Sequence, residues 1–148
     1  MFILFFFELN KGFSQSEFEV PYRKLVEFDQ EYGLHIEKGD FLMKVAFDED
    51  TLWWQSDKNL PMDASPILQQ SDKYVMAQSN DGTYVFFDTK DKRLFYLIQW
   101  ESFYTAFGIG TGSFALQEIV DHMMYRLING QSKYDVMSFL IEQSSYEF

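Results

Sequence analysis

Short apolar runs separated by turn-forming residues occupy much of the chain. The runs at 73–78, 83–87 and 93–99 are divided by Asn80-Asp81-Gly82 and by Asp88-Thr89-Lys90-Asp91-Lys92, the pattern of a three-stranded antiparallel meander. Residues 41–47 and 51–55 are rich in aromatic and branched side chains and are split by Asp48-Glu49-Asp50, which predicts a hairpin. The opening Met1-Phe2-Ile3-Leu4-Phe5-Phe6-Phe7 reads as a strand buried on both faces. It lacks a basic leader and a small-residue cleavage site, and it is far shorter than the ~20 apolar residues of a membrane helix.

Helical spacing dominates the last third. Gly108, Gly110 and Gly112 break the chain before Ser113, a natural N-cap, and Leu116, Ile119, Val120, Met123, Leu127 and Ile128 then recur on one face, predicting a helix over 113–129. Ser132 and Asp135 cap a second, shorter stripe made by Val136, Phe139 and Leu140. Pro21 suits a first helical turn and Gly33 a terminus, so residues 21–32 predict a third helix, although Glu17-Phe18-Glu19-Val20 alternates like a strand. Low apolar density with Pro61 and Pro66 predicts a connecting loop over 56–72. The sum is a single α+β domain over 1–148, its largely antiparallel sheet packed against the 113–129 helix.

Charge narrows the function. With 12 Lys+Arg against 23 Asp+Glu, the net charge of −11 disfavours direct binding of nucleic acid or of an anionic membrane, because phosphate recognition needs basic clusters. The absence of Cys removes disulfides, thiolate nucleophiles and Cys-ligated zinc, and fits a reducing cytoplasm. His35 and His122 stand in no metal-ligand spacing, so no metal is expected. No Gly-x-Ser-x-Gly elbow is present, and no catalytic constellation or cofactor is predicted. Gly108-Ile109-Gly110-Thr111-Gly112-Ser113 resembles a phosphate cradle only loosely, and a plain sheet-to-helix connection is the expectation.

The acid is concentrated early. Residues 1–66 carry 13 acidic and six basic side chains, and residues 67–148 carry ten and six. Glu27, Asp29 and Glu31, then Asp48, Glu49 and Asp50, flank the pair Trp53-Trp54, and adjacent strand residues face opposite ways, so one Trp is expected at the surface. These eight residues are the predicted partner-binding surface. It would suit a basic protein as well as a merely solvated acidic face.

Residues 73–88 (Lys73-Tyr74-Val75-Met76-Ala77-Gln78-Ser79-Asn80-Asp81-Gly82-Thr83-Tyr84-Val85-Phe86-Phe87-Asp88), then Leu94-Phe95-Tyr96-Leu97 and the helix headed by Ser113-Phe114, resemble the C-terminal half of SUKH-superfamily domains. The resemblance covers residues 73–127. It implies an immunity protein that binds and neutralises a cognate bacterial toxin with no chemistry of its own; the acidic charge suits a basic toxin, such as a nuclease, whose active site it would mask. The alternatives are a small acidic enzyme or ligand-binding protein using His35 or His122 with neighbouring carboxylates, and a structural subunit that oligomerises through its aromatic surface.

Overall fold

The computed structural model describes residues 16–55, 59–100, 103–110 and 114–145. The strand predicted over 1–7 lies outside the described residues. Strands β1 (Ser16–Asp29), β2 (Gly33–Phe47), β3 (Thr51–Trp54), β4 (Asp63–Gln70), β5 (Tyr74–Gln78), β6 (Tyr84–Asp88), β7 (Arg93–Trp100) and β8 (Phe103–Gly110) pair antiparallel in sequence order. β1 also pairs with β8, from Lys24 opposite Gly110 to Asp29 opposite Thr105, and closes the sheet into a barrel. Helices α1 (Phe114–Ile128) and α2 (Lys133–Ser145) follow. The predicted coarse class, a largely antiparallel sheet with C-terminal helices, is what forms, and the closure is new.

Alternation along the strands builds two cores, one on each side of the wall. Val20, Met43, Val45, Leu52, Trp54, Val75, Val85, Phe87, Leu94, Tyr96 and Ile109 point into the barrel and fill it, as side chains do in a barrel of about eight strands. Their neighbours Met76, Phe86, Phe95, Leu97 and Ala106 point outward and meet Leu116, Val120, Met123, Met124, Met137 and Leu140 of the helices. α1 lies on β8 and β1, and α2 on β5 and β6. Gly108 makes the close approach possible, since a Cβ there would sit 2.7 Å from Val120 Cγ2.

Three expectations are corrected. Residues 21–32 are not a helix: β1 runs through to Asp29, and a register shift between Tyr22 and Lys24 explains the misleading pattern. Phe18 and Val20 face the interior before the shift, whereas Leu25 faces it afterwards and Val26 and Phe28 turn out toward α1. That bulge breaks the period of two and leaves mixed spacings that mimic a helix. Gly33, with φ +89°, serves the β1–β2 turn instead of a helix end.

The loop expected over 56–72 contains β4. Pro66 is tolerated because it lies opposite Thr51 of β3, Ile67 N donates to Asp50 O at 2.8 Å, and the ladder to β5 begins only at Ile67. Gly108 and Gly110, expected to break the chain, stand inside the β8 ladder opposite Phe95 and Lys24, which commits their backbone to the sheet and not to a phosphate.

The helix expected over 113–129 forms as α1, its expected cap Ser113 lying outside the described residues, and the second helix begins as expected. Asp135 N donates to Ser132 Oγ at 3.1 Å and Ser132 N donates to Asp135 Oδ2 at 3.0 Å, a reciprocal cap that holds the Asp135 carboxyl below its usual range. Among the described residues no helix is long and apolar enough to cross a membrane.

Candidate binding site at the barrel mouth

Up-and-down connectivity brings the ends of β1, β3, β5 and β7 to one end of the barrel. That end holds a cavity of about 410 Å³ lined by Trp54, Asp63, Ala64, Ser79, Asn80, Asp81, Thr83, Tyr96, Ile98 and Phe107. Its volume lies in the range of small-ligand sites, and barrel mouths are a common place for them. The floor is aromatic: the Trp54 and Tyr96 ring centroids are 5.1 Å apart at 46°, and Tyr96 stacks on Phe107 at 4.4 Å and 9°.

The walls are fixed by hydrogen bonds made within the chain. Trp54 Nε1 donates to Ser65 Oγ at 2.9 Å, and Ser65 Oγ shares a 2.7 Å bond with Ser79 Oγ, so the indole is held in place by a buried polar relay. Thr83 N donates to Asp81 Oδ1 at 3.0 Å in the Asn80-Asp81-Gly82 turn, where Gly82 takes φ +91°. Asp63 opens β4 opposite Trp54 and is exposed at the rim. Among the described residues the lining carries two carboxylates and no basic side chain.

The eight residues predicted as a surface do not share one. β2 separates the two acidic groups: Glu27, Asp29 and Glu31 lie at the mouth end, and Asp48, Glu49 and Asp50 at the opposite end. Fifteen residues of strand span about 45 Å at ~3.3 Å each. Asp29 is buried, with Oδ1 accepting from Glu31 N and Tyr32 N at 2.7 and 2.8 Å and Oδ2 from Thr105 Oγ1 at 2.8 Å. Burial alone would raise its pKa, but these three bonds outweigh that and hold it low. Asp48 caps its own turn, accepting from Asp50 N and Thr51 N at 2.8 Å. Trp54 lines the mouth, whereas its neighbour Trp53, on the other face of β3, does not.

No protein-family model, curated protein or solved structure matches this chain.

The histidines sit apart from the cavity. His35 is exposed on β2, opposite Glu27 of β1, and His122 is exposed on α1, its ring 5.6 Å from that of Phe139. Among the described residues no three His, Asp or Glu side chains are placed to share a metal ion. His122 instead borders an apolar groove of about 380 Å³ with Phe28, Asp121, Tyr125 and Ile128. Burial there raises the Asp121 pKa, helped by Glu118 and opposed by His122. Leu34, opposite Phe28 across the ladder, is 44% exposed, and Tyr125 and Ile128 are 64% and 56% exposed. The groove therefore continues as an apolar patch close to the mouth end, since Phe28 directly precedes Asp29.

Asp63, Ser79, Asn80, Asp81, Thr83, Tyr96, Ile98 and Phe107 escaped the sequence reading as site residues. Only barrel closure brings β3, β4, β7 and β8 around one opening, and no spacing in the sequence encodes that. One signal was available: Trp54 ends β3, and Tyr96 and Ile98 alternate inward along β7.

Proposed function

We propose that this is a non-enzymatic binding protein of the immunity kind, acting in the cytoplasm, which neutralises a basic protein toxin by capping it with the mouth end of the barrel. The observation that carries this reading is the mouth itself, an aromatic cavity whose described lining carries Asp63 and Asp81 and no basic side chain, in a chain of net charge −11. A positive partner is steered toward such a surface at long range and suited to it at short range. The apolar patch of Leu34, Tyr125 and Ile128, on the outer face of the barrel toward the same end, supplies a second, water-excluding contact that a protein partner is large enough to reach. No step requires a proton donor, a metal or a nucleophile.

The test is protection. Cells expressing the toxin domain of a secreted effector encoded next to this protein are expected to survive with wild type and to die with the Asp63→Lys/Asp81→Lys variant, provided that far-ultraviolet circular dichroism shows the variant folded. Full protection by the folded double variant overturns the mouth as the interface. A protection that depends on His35 or His122 would transfer the reading to the enzyme alternative.

A further inference from the structure

Resting on that reading, we infer that the mouth is a guanidinium site: it takes one arginine side chain of the partner. The cavity combines two features that a planar cation satisfies together. The first is the aromatic floor, a series of rings from Trp54 through Tyr96 to Phe107 with centroid separations of 5.1 and 4.4 Å, in which Phe107 is partly exposed and Trp54 and Tyr96 keep 3% and 5% of their surface open. A guanidinium is flat, weakly hydrated and attracted to such surfaces, whereas an ammonium is a compact ion that holds its water.

The second feature is the placement of acceptors around that floor. Asp63 comes from the first residue of β4 and Asp81 from the β5–β6 turn, so the carboxylates approach from separate elements. Asp81 is aimed by the Thr83 N–H on Oδ1, and a carboxylate with about four lone-pair sites keeps capacity after accepting one bond. Asn80 and Ser79 add oxygens beside them. Five N–H donors in a fixed fork can reach several acceptors at once, which three donors on a lysine nitrogen do less well. A neutral apolar group would strip water from the carboxylates without replacing its hydrogen bonds, and an anion would meet like charge. The Trp54–Ser65–Ser79 relay sets this geometry before anything binds, which lowers the ordering cost of binding.

The experiment titrates the full-length protein with Nα-acetyl-arginine N-methylamide, and separately with the lysine and citrulline counterparts, followed by ¹H–¹⁵N correlation spectra and calorimetry. Saturable binding of the arginine probe is expected, with shifts confined to the Trp54 indole, residues 79–83 and Phe107. The lysine probe should bind at least tenfold more weakly, and citrulline, which has the same shape without the charge, should not saturate. Asp81→Asn keeps an oxygen for the Thr83 N–H and should weaken the arginine probe tenfold or more. The rim substitution Asp63→Asn serves the same purpose should Asp81→Asn unfold. Asp48→Asn, at the far end, should change nothing. Equal affinity for arginine and lysine, or binding of citrulline, overturns the guanidinium assignment. A toxin contact that Asp63→Lys/Asp81→Lys abolishes, in a protein to which no arginine probe binds, overturns this inference and leaves the mouth as an interface.

Discussion

β6 and β2 belong to the same barrel yet follow different rules of composition. Every residue of β6 from Val85 to Asp88 is buried, because the interior takes Val85 and Phe87 while the helices cover Phe86. On β2 the buried Met43 and Val45 are flanked by Leu42 and Lys44, which are exposed. The wall from β5 to β8 is thus a three-layer structure of interior, sheet and helix, whereas no described helix covers β2 to β4, whose outer face leaves Leu42, Lys44 and Leu68 exposed. A covered strand needs apolar residues at every position and a wet strand at every second one. The same chain closure therefore produces strands that look unrelated.

The largest expected effect tests this contrast directly. Phe95 is 1% exposed on the outer face of β7, packed beneath the helices, and Leu68 is 51% exposed on β4. Phe95→Ala should destabilise by ~3–5 kcal/mol, since it empties volume between two layers that cannot collapse freely. Leu68→Ala should stay within ~0.5 kcal/mol. Urea midpoints of both variants measure the difference, and comparable losses would mean that the outer faces of the two walls are not distinct.

The turns obey the same contrast. Asp88 ends β6 and Asp48 directly follows β2, and each accepts two backbone N–H groups of its own turn. Asp88 is in the covered wall and also binds Arg93, whose Nη2 donates to Oδ2 at 2.7 Å, with side chains only 2% and 12% exposed. Removing one member of such a pair leaves a desolvated charge. Asp88→Ala should therefore cost about 3 kcal/mol, and Asp48→Ala, in an exposed turn, about 1 kcal/mol. Arg93→Met/Asp88→Leu should recover much of the loss, and a double variant no better than Asp88→Ala would show that the turn bonds, and not the ion pair, carry the stability.

This division also explains what was legible in the sequence. β5, β6 and β7 announce themselves because both faces are buried, and α1 because its stripe of Leu116, Val120, Met123 and Leu127 has a single large surface to cover. β1 and β4 did not. In β1 the bulge at 22–24 moves the apolar set from the inner to the outer face, and in β4 the wet side supplies Pro66, Leu68 and Gln70 at positions where water makes few demands. The acidic residues were conspicuous, but their division between the two ends of the barrel was not legible. Asp29, Asp48, Asp81, Asp88 and Asp135 all accept backbone N–H groups in turns or caps, so much of the acid excess is turn chemistry before it is surface charge. Which of them face a ligand depends on the end of the barrel they occupy.

The smallest effect concerns the seam between the two walls, where β1 pairs with β2 on one side and β8 on the other. Asp29 ties that seam by accepting from Thr105 Oγ1 of β8 and from the Glu31 and Tyr32 N–H groups of the β1–β2 turn. Burial pushes its pKa up, and the bonds more than reverse that, so the folded pKa lies below the unfolded one. A depressed carboxyl contributes stability that is present above the unfolded pKa and is lost as pH falls through the folded pKa. Asp29→Asn keeps the shape and the Oδ1 acceptor but not the charge. It should therefore cost about 1 kcal/mol at pH 7, a difference that shrinks as the acid limb is descended below the ordinary carboxylate range. Urea midpoints of wild type and variant across that range decide it. A gap of constant size down to the lowest pH would show that shape, and not the charge of Asp29, joins the covered wall to the exposed one.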